Sequence, residues 1–391
     1  MKSKASIATR SLRLVIFESA ITSGLISMSI MTPFFYSIGL SNAEIALSQA
    51  FFTIIVSLLN LPMGWLADHL SRKWANVIGD FGCACGHLLY AIIHGFTGTV
   101  ICECWLGIFL SLSQGVDFTL LKHFSGQISS EEQYFRRQSA QLAFWHHLCS
   151  LVLILLGGPL GAINFRLAIA ASSIPYFIGG IASLLVRDDS AKLCPTHGNP
   201  IRDMLRIICS ALSKPRLRWR LFAYAVGREM THGIIWVLTP MLLLAGVPLT
   251  IISVAWAIDS VARIVGSRLA LRYATRLRGD RVFAIPLLLM TASMLVLSFK
   301  LNLWTIGIYL LMGVVCGWTG ATLMPLVQEE TPPDEQTTVV SLAKVMGQIL
   351  YVPASLAIGW AADFAVRYAA FMTVVIFLPL GLIILRHLQR E

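Results

Sequence analysis

Charged residues are scarce in this sequence. Of its 391 residues only 13% are charged and 56% are apolar, which gives a mean hydropathy of +0.74. Because a soluble domain carries about 25% charged residues, this composition excludes an ordinary soluble globular protein. The apolar residues also form long runs, such as 151–156 and 306–316. Such runs are typical of segments that cross a lipid bilayer.

The sequence also lacks the motifs of enzymes and of ATP-driven pumps. It contains no Gly-x-x-x-x-Gly-Lys-Ser/Thr phosphate loop, no His-Glu-x-x-His zinc motif and no recognisable nucleophile motif. Its two Cys-x-Cys pairs have side chains on different helix faces, so they predict neither a metal site nor a disulfide framework. We therefore expect a protein that is not an enzyme and has no cofactor or metal. A non-transporting membrane receptor or a membrane enzyme stays a remote alternative.

The positive net charge of +10 does not indicate a nucleic-acid ligand. The Lys and Arg residues are not clustered on one soluble module but lie mostly in alternate loops between apolar segments. Cytoplasmic loops of membrane proteins carry this excess of basic residues. We therefore expect a multi-pass membrane protein with both termini in the cytoplasm.

Hydropathy predicts about twelve membrane-spanning helices. Each has the twenty or so residues that a bilayer crossing needs, and the expected spans are 12–39, 43–66, 74–96, 98–124, 138–163, 165–186, 219–245, 248–274, 281–301, 303–327, 336–362 and 364–387. The fold class is therefore all-α integral membrane, with a six-helix bundle over 1–186, a cytoplasmic linker with an amphipathic helix over 187–218 and a second six-helix bundle over 219–391.

Two local patterns support this division. Gly158 and Arg166 near the end of helix five are echoed by Gly359 and Arg367 near the end of helix eleven, an offset of about two hundred residues. Such an offset is typical of two related six-helix repeats. Helix two is expected to begin with a capping box formed within 41–44, Ser-Asn-Ala-Glu.

The most specific motif is Gly-Trp-Leu-Ala-Asp-His-Leu-Ser-Arg-Lys at 64–73, between helices two and three. It resembles the signature loop of the major facilitator superfamily, Gly-x-Leu-Ala-Asp-Arg-x-Gly-Arg-Lys/Arg, and the matching residues are Gly64, Leu66, Ala67, Asp68, Arg72 and Lys73. His69 and Ser71 depart from the pattern. The resemblance implies that Asp68 meets the start of helix eleven near Gln336, and that Arg72 pairs with Asp117 of helix four.

The resemblance also implies a function. Members of this superfamily are secondary transporters that work by alternating access, so we expect proton-coupled export of a small organic molecule, drug-like or a secreted metabolite, by a monomer in a bacterial inner membrane. Import of an organic anion or another polar nutrient is the alternative. Proton-coupled drug exporters of the superfamily carry an Arg in helix four where this chain has Ser111, so coupling through that Arg is not expected.

Ionisable residues inside the predicted spans are the candidates for cargo or proton binding, because a charge at the bilayer centre costs about 3 kcal/mol. The resemblance places helices one, four, seven and ten around a central cavity, with two, five, eight and eleven beside them. The cavity candidates are Glu18, Asp117, Arg228, Glu229, Asp259, Arg263 and Lys344. For Asp117, a purely structural role as partner of Arg72 is equally open.

Spacing gives further expectations for these charges. Asp259 and Arg263 lie four residues apart on one helix face and can pair with each other. Arg228 and Glu229 are adjacent, about 100° apart around a helix, so we expect them to point in different directions. Lys344 has no obvious partner in its own helix. Two further acids, Asp80 and Glu103, are expected to reach headgroups or water near the helix ends and to be structural.

Overall fold

The structure is a computed structural model, and it describes residues 2–114, 116–129, 132–187, 200–232, 235–273, 279–299, 302–332 and 335–389. These residues form helices and connecting turns, without a β-strand among them. Nine helical stretches in the described part are long and apolar enough to cross a membrane. The predicted all-α membrane fold is confirmed.

The described residues of the amino-terminal half form nine α-helices, and most expected spans coincide with one helix or with two consecutive ones. The helices are α1 (Lys2–Ile21), α2 (Met31–Ser37), α3 (Asn42–Leu70), α4 (Arg72–Ile92), α5 (Gly95–Ser113), α6 (Val116–Ile128), α7 (Glu132–Ile163), α8 (Phe165–Ala171) and α9 (Ser173–Leu185). A short 3-10 helix, Ile26–Ile30, lies between α1 and α2. The first expected span is thus a helix that changes geometry along its length.

The remaining helices follow the same plan. The linker contains α10 (Pro200–Ser213), where the sequence predicts an amphipathic helix. It is followed by α11 (Pro215–His232), α12 (Ile235–Leu244), α13 (Leu249–Tyr273), α14 (Gly279–Phe299), α15 (Leu303–Glu329), α16 (Gln336–Phe364) and α17 (Val366–Leu388).

The chain divides into two compact units, and neither is continuous in sequence. The first unit comprises Met1–Gly39, Phe51–Cys194 and Leu249–Val254, and the second comprises Leu40–Ala50, Pro195–Pro248 and Ala255–Glu391. The first turns of α3 therefore belong to the second unit, while the first turns of α13 belong to the first unit.

Local signals explain how α3 begins and how α4 begins. The capping box is confirmed, since the amide of Glu44 donates to Oγ of Ser41 at 3.2 Å and the amide of Ser41 donates to Glu44 at 2.9 Å. Ser71 precedes α4 with a φ of +95° and accepts a hydrogen bond from the amide of Trp74. The superfamily pattern has glycine at this position, which adopts such a φ without strain.

Candidate functional site

Three acidic side chains come together inside the first unit. Glu18 of α1 and Asp80 of α4 lie side by side, and both are buried, with exposed fractions of 4% and 2%. Asn76, one turn before Asp80 on the same face of α4, donates from Nδ2 to Oε2 of Glu18 at 3.3 Å. An ionised carboxylate only accepts hydrogen bonds, so two neighbouring carboxyl groups can bond to each other only when one of them carries a proton.

Asp117 is the third member of this acid cluster, which we define as Glu18, Asp80 and Asp117. Its Oδ2 accepts a hydrogen bond from Oγ of Ser19 at 2.6 Å, and its Oδ1 accepts one from the amide of Phe118 at 2.7 Å. These contacts join Asp117 to α1 and to the start of its own helix, and the pairing with Arg72 that the resemblance implies stays a prediction.

The acid cluster and the neighbouring Asn76 contain buried acceptor atoms without a described donor. Oδ2 of Asp80 and Oδ1 of Asn76 have no hydrogen-bond partner among the described residues. No described ion pair involves the cluster either. Because buried polar atoms are usually satisfied, these two indicate a place where a hydrogen-bond donor can be added, and a proton on a carboxyl is the smallest such donor.

A glycine of α9 makes room for the acid cluster. A Cβ on Gly179 of α9 would lie 3.3 Å from Oδ2 of Asp80 and 2.5 Å from Cγ2 of Thr22. Glycine therefore lets the backbone of α9 approach the carboxyl group of Asp80 more closely than any other residue would.

Two sequence expectations about acids were wrong. Asp80 and Glu103 were expected to reach water or headgroups, but both are buried. Oη of Tyr90 donates to Oε1 of Glu103 at 2.6 Å, so this acid is satisfied inside the bundle. Asp80 instead joins Glu18. The periodicity of α4 could have indicated this, since Asn76 and Asp80 lie four residues apart on the same helix face as Cys83 and Ala84.

A second group of charges lies in the second unit. Nε of Arg228 lies 3.2 Å from Oε1 of Glu229, so the two neighbours contact each other although their Cβ atoms point about 100° apart around the helix. The aliphatic chain of arginine is long enough to curl back along the helix surface to the next residue. Glu229 is 2% exposed, while 38% of the Arg228 side chain is exposed. A Cβ on Gly347 of α16 would lie 2.8 Å from Oε1 of Glu229.

The predicted pair on α13 is confirmed. Nε of Arg263 donates to Oδ2 of Asp259 at 2.7 Å, and the acid is buried while the cation is half-exposed. Gly313 of α15 packs against this pair, because a Cβ there would lie 2.7 Å from Oδ1 of Asp259. Helix α15 therefore packs against the acid, while 41% of the arginine side chain stays exposed.

Lys344 and a set of polar aromatic side chains complete the second charged group. The ammonium group of Lys344 lies close enough to Arg228 for their positive charges to repel. His232 packs its ring against Tyr351, whose hydroxyl accepts a hydrogen bond from Nε1 of Trp236 at 3.2 Å. Basic and polar aromatic groups thus occur together in this unit.

The signature loop is described only in part. The side chains of Gly64, Asp68 and Gln336 lie outside the described ones, so the implied contact of Asp68 with the start of helix eleven stays a prediction. Lys73 places Nζ 5.9 Å from the ring centre of Trp74. In the described part of the chain, no group of His, Cys, Asp and Glu side chains could hold a metal ion.

Comparisons with known proteins agree with this architecture. The solved structure of the nucleoside transporter NupG superposes with a TM-score of 0.77 at 12% identity, covering 98% of this chain and 98% of that one. A bacterial homolog of the human lysosomal transporter Spinster, in an inward-facing and unoccupied conformation, gives a TM-score of 0.75 at 11% identity, with 99% and 97% coverage. At such low identities these likenesses show the fold alone.

The sequence comparisons identify the family. No curated protein sequence matches the chain. The family profile described as Major Facilitator Superfamily matches residues 14–355, which is most of the sequence. The chain belongs to the Major Facilitator Superfamily, as its signature loop predicts.

Proposed function

We propose that this protein is a proton-coupled secondary transporter and that the acid cluster of the first unit binds the coupling proton. The observation that carries the proposal is that the carboxyl groups of Glu18 and Asp80 are buried side by side, with Oδ2 of Asp80 left without a hydrogen-bond donor among the described residues. These groups lie in helices that the sequence places across the bilayer, and no described ion pair neutralises them.

The physical basis is the cost of a second negative charge. Ionising both carboxyls would place two like charges in contact within a low-dielectric interior, so one proton stays shared between them. An alternating-access cycle that opens the bundle to water lowers this cost and lets the proton leave. Asp117 lies next to the pair through its bond to Ser19 and offers a second acceptor along the route.

We propose export of a small organic molecule as the direction, and the two six-helix bundles 1–186 and 219–391 as the moving parts. The placement in a bacterial inner membrane, as a monomer with cytoplasmic termini, rests on the distribution of basic loops and on the family. A sided assay tests the direction: accumulation inside inverted vesicles when the lumen is acidic supports export, and accumulation in right-side-out vesicles supports import.

The proton site is tested by flux in proteoliposomes under an imposed pH gradient, screened with a mixed library of cations, anions and neutral metabolites. We expect Glu18→Gln and Asp80→Asn each to abolish acceleration by the gradient while leaving exchange of cargo across the membrane intact. Glu103→Gln is the matched control, because it neutralises another buried acid outside the cluster. Gradient-driven flux that survives both cluster variants would contradict the proposal.

An organic anion is a second candidate cargo, and the charges of the second unit favour it. Three cations, Arg228, Arg263 and Lys344, stand against two acids, Glu229 and Asp259, so the group carries one excess positive charge. In a membrane-embedded protein, an excess charge is stabilised when a ligand of opposite sign binds. Both arginine side chains are partly exposed, 38% and 41%, and a guanidinium group presents several N–H donors that suit a carboxylate or phosphate.

Lys344→Gln tests the anion directly because it removes the excess charge without breaking either ion pair. We expect at least a tenfold rise in the concentration of an anionic cargo needed for half-maximal flux, with little change for a neutral one. Lys122→Gln, on an exposed position of α6, is the control for a lost lysine. Equal effects on anionic and neutral cargo would count against this candidate.

A further inference from the structure

The start of α3 is bound by an acidic side chain from the far end of α16. The amide of Asn42 donates to Oδ1 of Asp363 at 2.6 Å, and the amide of Ala43 donates to Oδ2 at 3.1 Å. The amide of Glu44 donates to Oγ of Ser41, and the amide of Ser41 donates back to the carboxylate of Glu44. All four amides that a helix leaves free at its start are therefore satisfied, two of them by another helix.

Close backbone packing accompanies these hydrogen bonds. Gly359 lies one turn before Asp363, on the same face of α16. A Cβ at this position would lie 2.6 Å from Cβ of Ala46 and 2.7 Å from the carbonyl oxygen of Asn42. The contact therefore depends on two features of α16, a glycine that admits the α3 backbone and a carboxylate that binds its amides.

The other repeat has the glycine but not the acid. In the first unit, a Cβ on Gly158 of α7 would lie 2.6 Å from Oγ of Ser253 and 2.8 Å from the carbonyl oxygen of Thr250, at the start of α13. Four residues later, where α16 has Asp363, α7 has Ala162. The two glycine contacts are equivalent, and the carboxylate is an addition to one of them.

We propose that Asp363 and Gly359 form a reversible clamp that holds the first turns of α3 in the second unit. Helix α3 belongs to the second unit up to Ala50 and to the first unit from Phe51, so the clamp acts on the stretch of α3 that lies in the second unit. The positive end of the α3 dipole stabilises the negative charge of the Asp363 carboxylate. It is also exposed, so water can hydrate it on release and the contact can break without burying an unpaired charge.

This clamp differs from the signature loop, which lies at the opposite end of α3. It goes beyond the proposed proton coupling and does not depend on it. The role of Asp363 in the clamp is conformational and requires neither cargo nor proton binding. The clamp can therefore be tested on the purified protein alone.

Hydrogen–deuterium exchange measured by mass spectrometry tests the hydrogen bonds. In Asp363→Ala, we expect amides in peptides that span 40–50 to exchange about threefold to tenfold faster, as expected for loss of a helix cap. Glu44→Ala is the matched control, because it removes a carboxylate from the same helix start without touching α16. Asp363→Asn, which keeps one acceptor oxygen, should give an intermediate rate.

Thiol labelling tests the opening of the contact. With Ala46→Cys as reporter, and labelling quantified at that residue by peptide mapping, a water-soluble maleimide should react several-fold faster in Asp363→Ala and in Gly359→Ala than in the unaltered background. The Glu44→Ala control should leave the labelling rate unchanged. Faster exchange without faster labelling would overturn the clamp and leave a static helix cap, and no change in either rate would overturn the contact itself.

Discussion

The hydroxyl oxygen of Ser19 lies 2.6 Å from Oδ2 of Asp117 and joins α1 to α6 within the first unit. A hydrogen bond to an ionised group contributes about 1.5–3 kcal/mol. We expect Ser19→Ala to lower the free energy of unfolding by about this amount and to slow gradient-driven flux, since Asp117 loses its link to α1. Thermal unfolding in detergent measures the first effect.

Ser48→Ala is the control for this variant. The Ser48 hydroxyl is also buried, but its bond among the described residues goes to the carbonyl of Ile45 in its own helix, at 2.8 Å. Its removal should cost about 1 kcal/mol or less. If both variants unfold at the same temperature, the interhelical bond of Ser19 contributes nothing beyond a local one.

The pair formed by Asp259 and Arg263 predicts a strong coupling between two substitutions. Arg263→Gln leaves a buried carboxylate without its cation, which we expect to cost about 2 kcal/mol. A fully buried pair would cost about 3–5 kcal/mol, but here 41% of the arginine side chain is exposed. Adding Asp259→Asn should restore most of the loss, and a double-mutant cycle of unfolding free energies measures this. Additive losses would show that the pair does not interact energetically.

Glycine at 317 is predicted to be essential for packing between α13 and α15. A Cβ at this position would overlap the carbonyl oxygen of Arg263. Because that neighbour is backbone and cannot rotate away, we expect Gly317→Ala to destabilise the protein by about 2 kcal/mol or more. Gly320→Ala is the control, since nothing lies within 4 Å of its Cβ position. Equal expression and thermal stability of the two variants would contradict the close helix contact.

The bond between Tyr90 and Glu103 predicts a loss of stability without a loss of coupling. Tyr90→Phe removes the donor to a buried carboxyl group, which should cost about 2 kcal/mol. Tyr176→Phe removes a hydroxyl that has no hydrogen bond within the described part of the chain, so it should cost less. Since Glu103 lies outside the acid cluster, pH-gradient-driven flux should keep its dependence on the gradient in both variants. A lost gradient response would instead place Glu103 on the proton route.

The backbone at Ser71 predicts a stabilising substitution. A φ of +95° is strained for serine and free of strain for glycine. Ser71→Gly should therefore be neutral or raise the unfolding free energy by up to about 1 kcal/mol, although it loses the bond to the Trp74 amide. Ser71→Ala loses the same bond and keeps the strain, so it should unfold at a lower temperature than either. A ranking in which alanine exceeds glycine would rule out strain at this turn.

Several features of the site followed from the sequence because they are local. The spacing of Asp259 and Arg263 by four residues places them on one helix face, and the structure joins them. The capping box at Ser41 likewise needs only neighbours in the chain. The contact between Arg228 and Glu229 did not follow from the sequence, since helix geometry fixes the direction of Cβ but not the path of a long, flexible side chain.

What the sequence determined by itself is the membrane class, the helical spans and the family, because bilayer crossing requires long apolar runs and the signature loop is a contiguous motif. The tertiary structure alone decided which acids meet. Glu18 and Asp80 are 62 residues apart, and so their contact depends on how α1 and α4 rotate and pack. The binding of Asp363 to the start of α3 was hidden for the same reason: the spacing of two distant helices in sequence does not specify which of their ends come together.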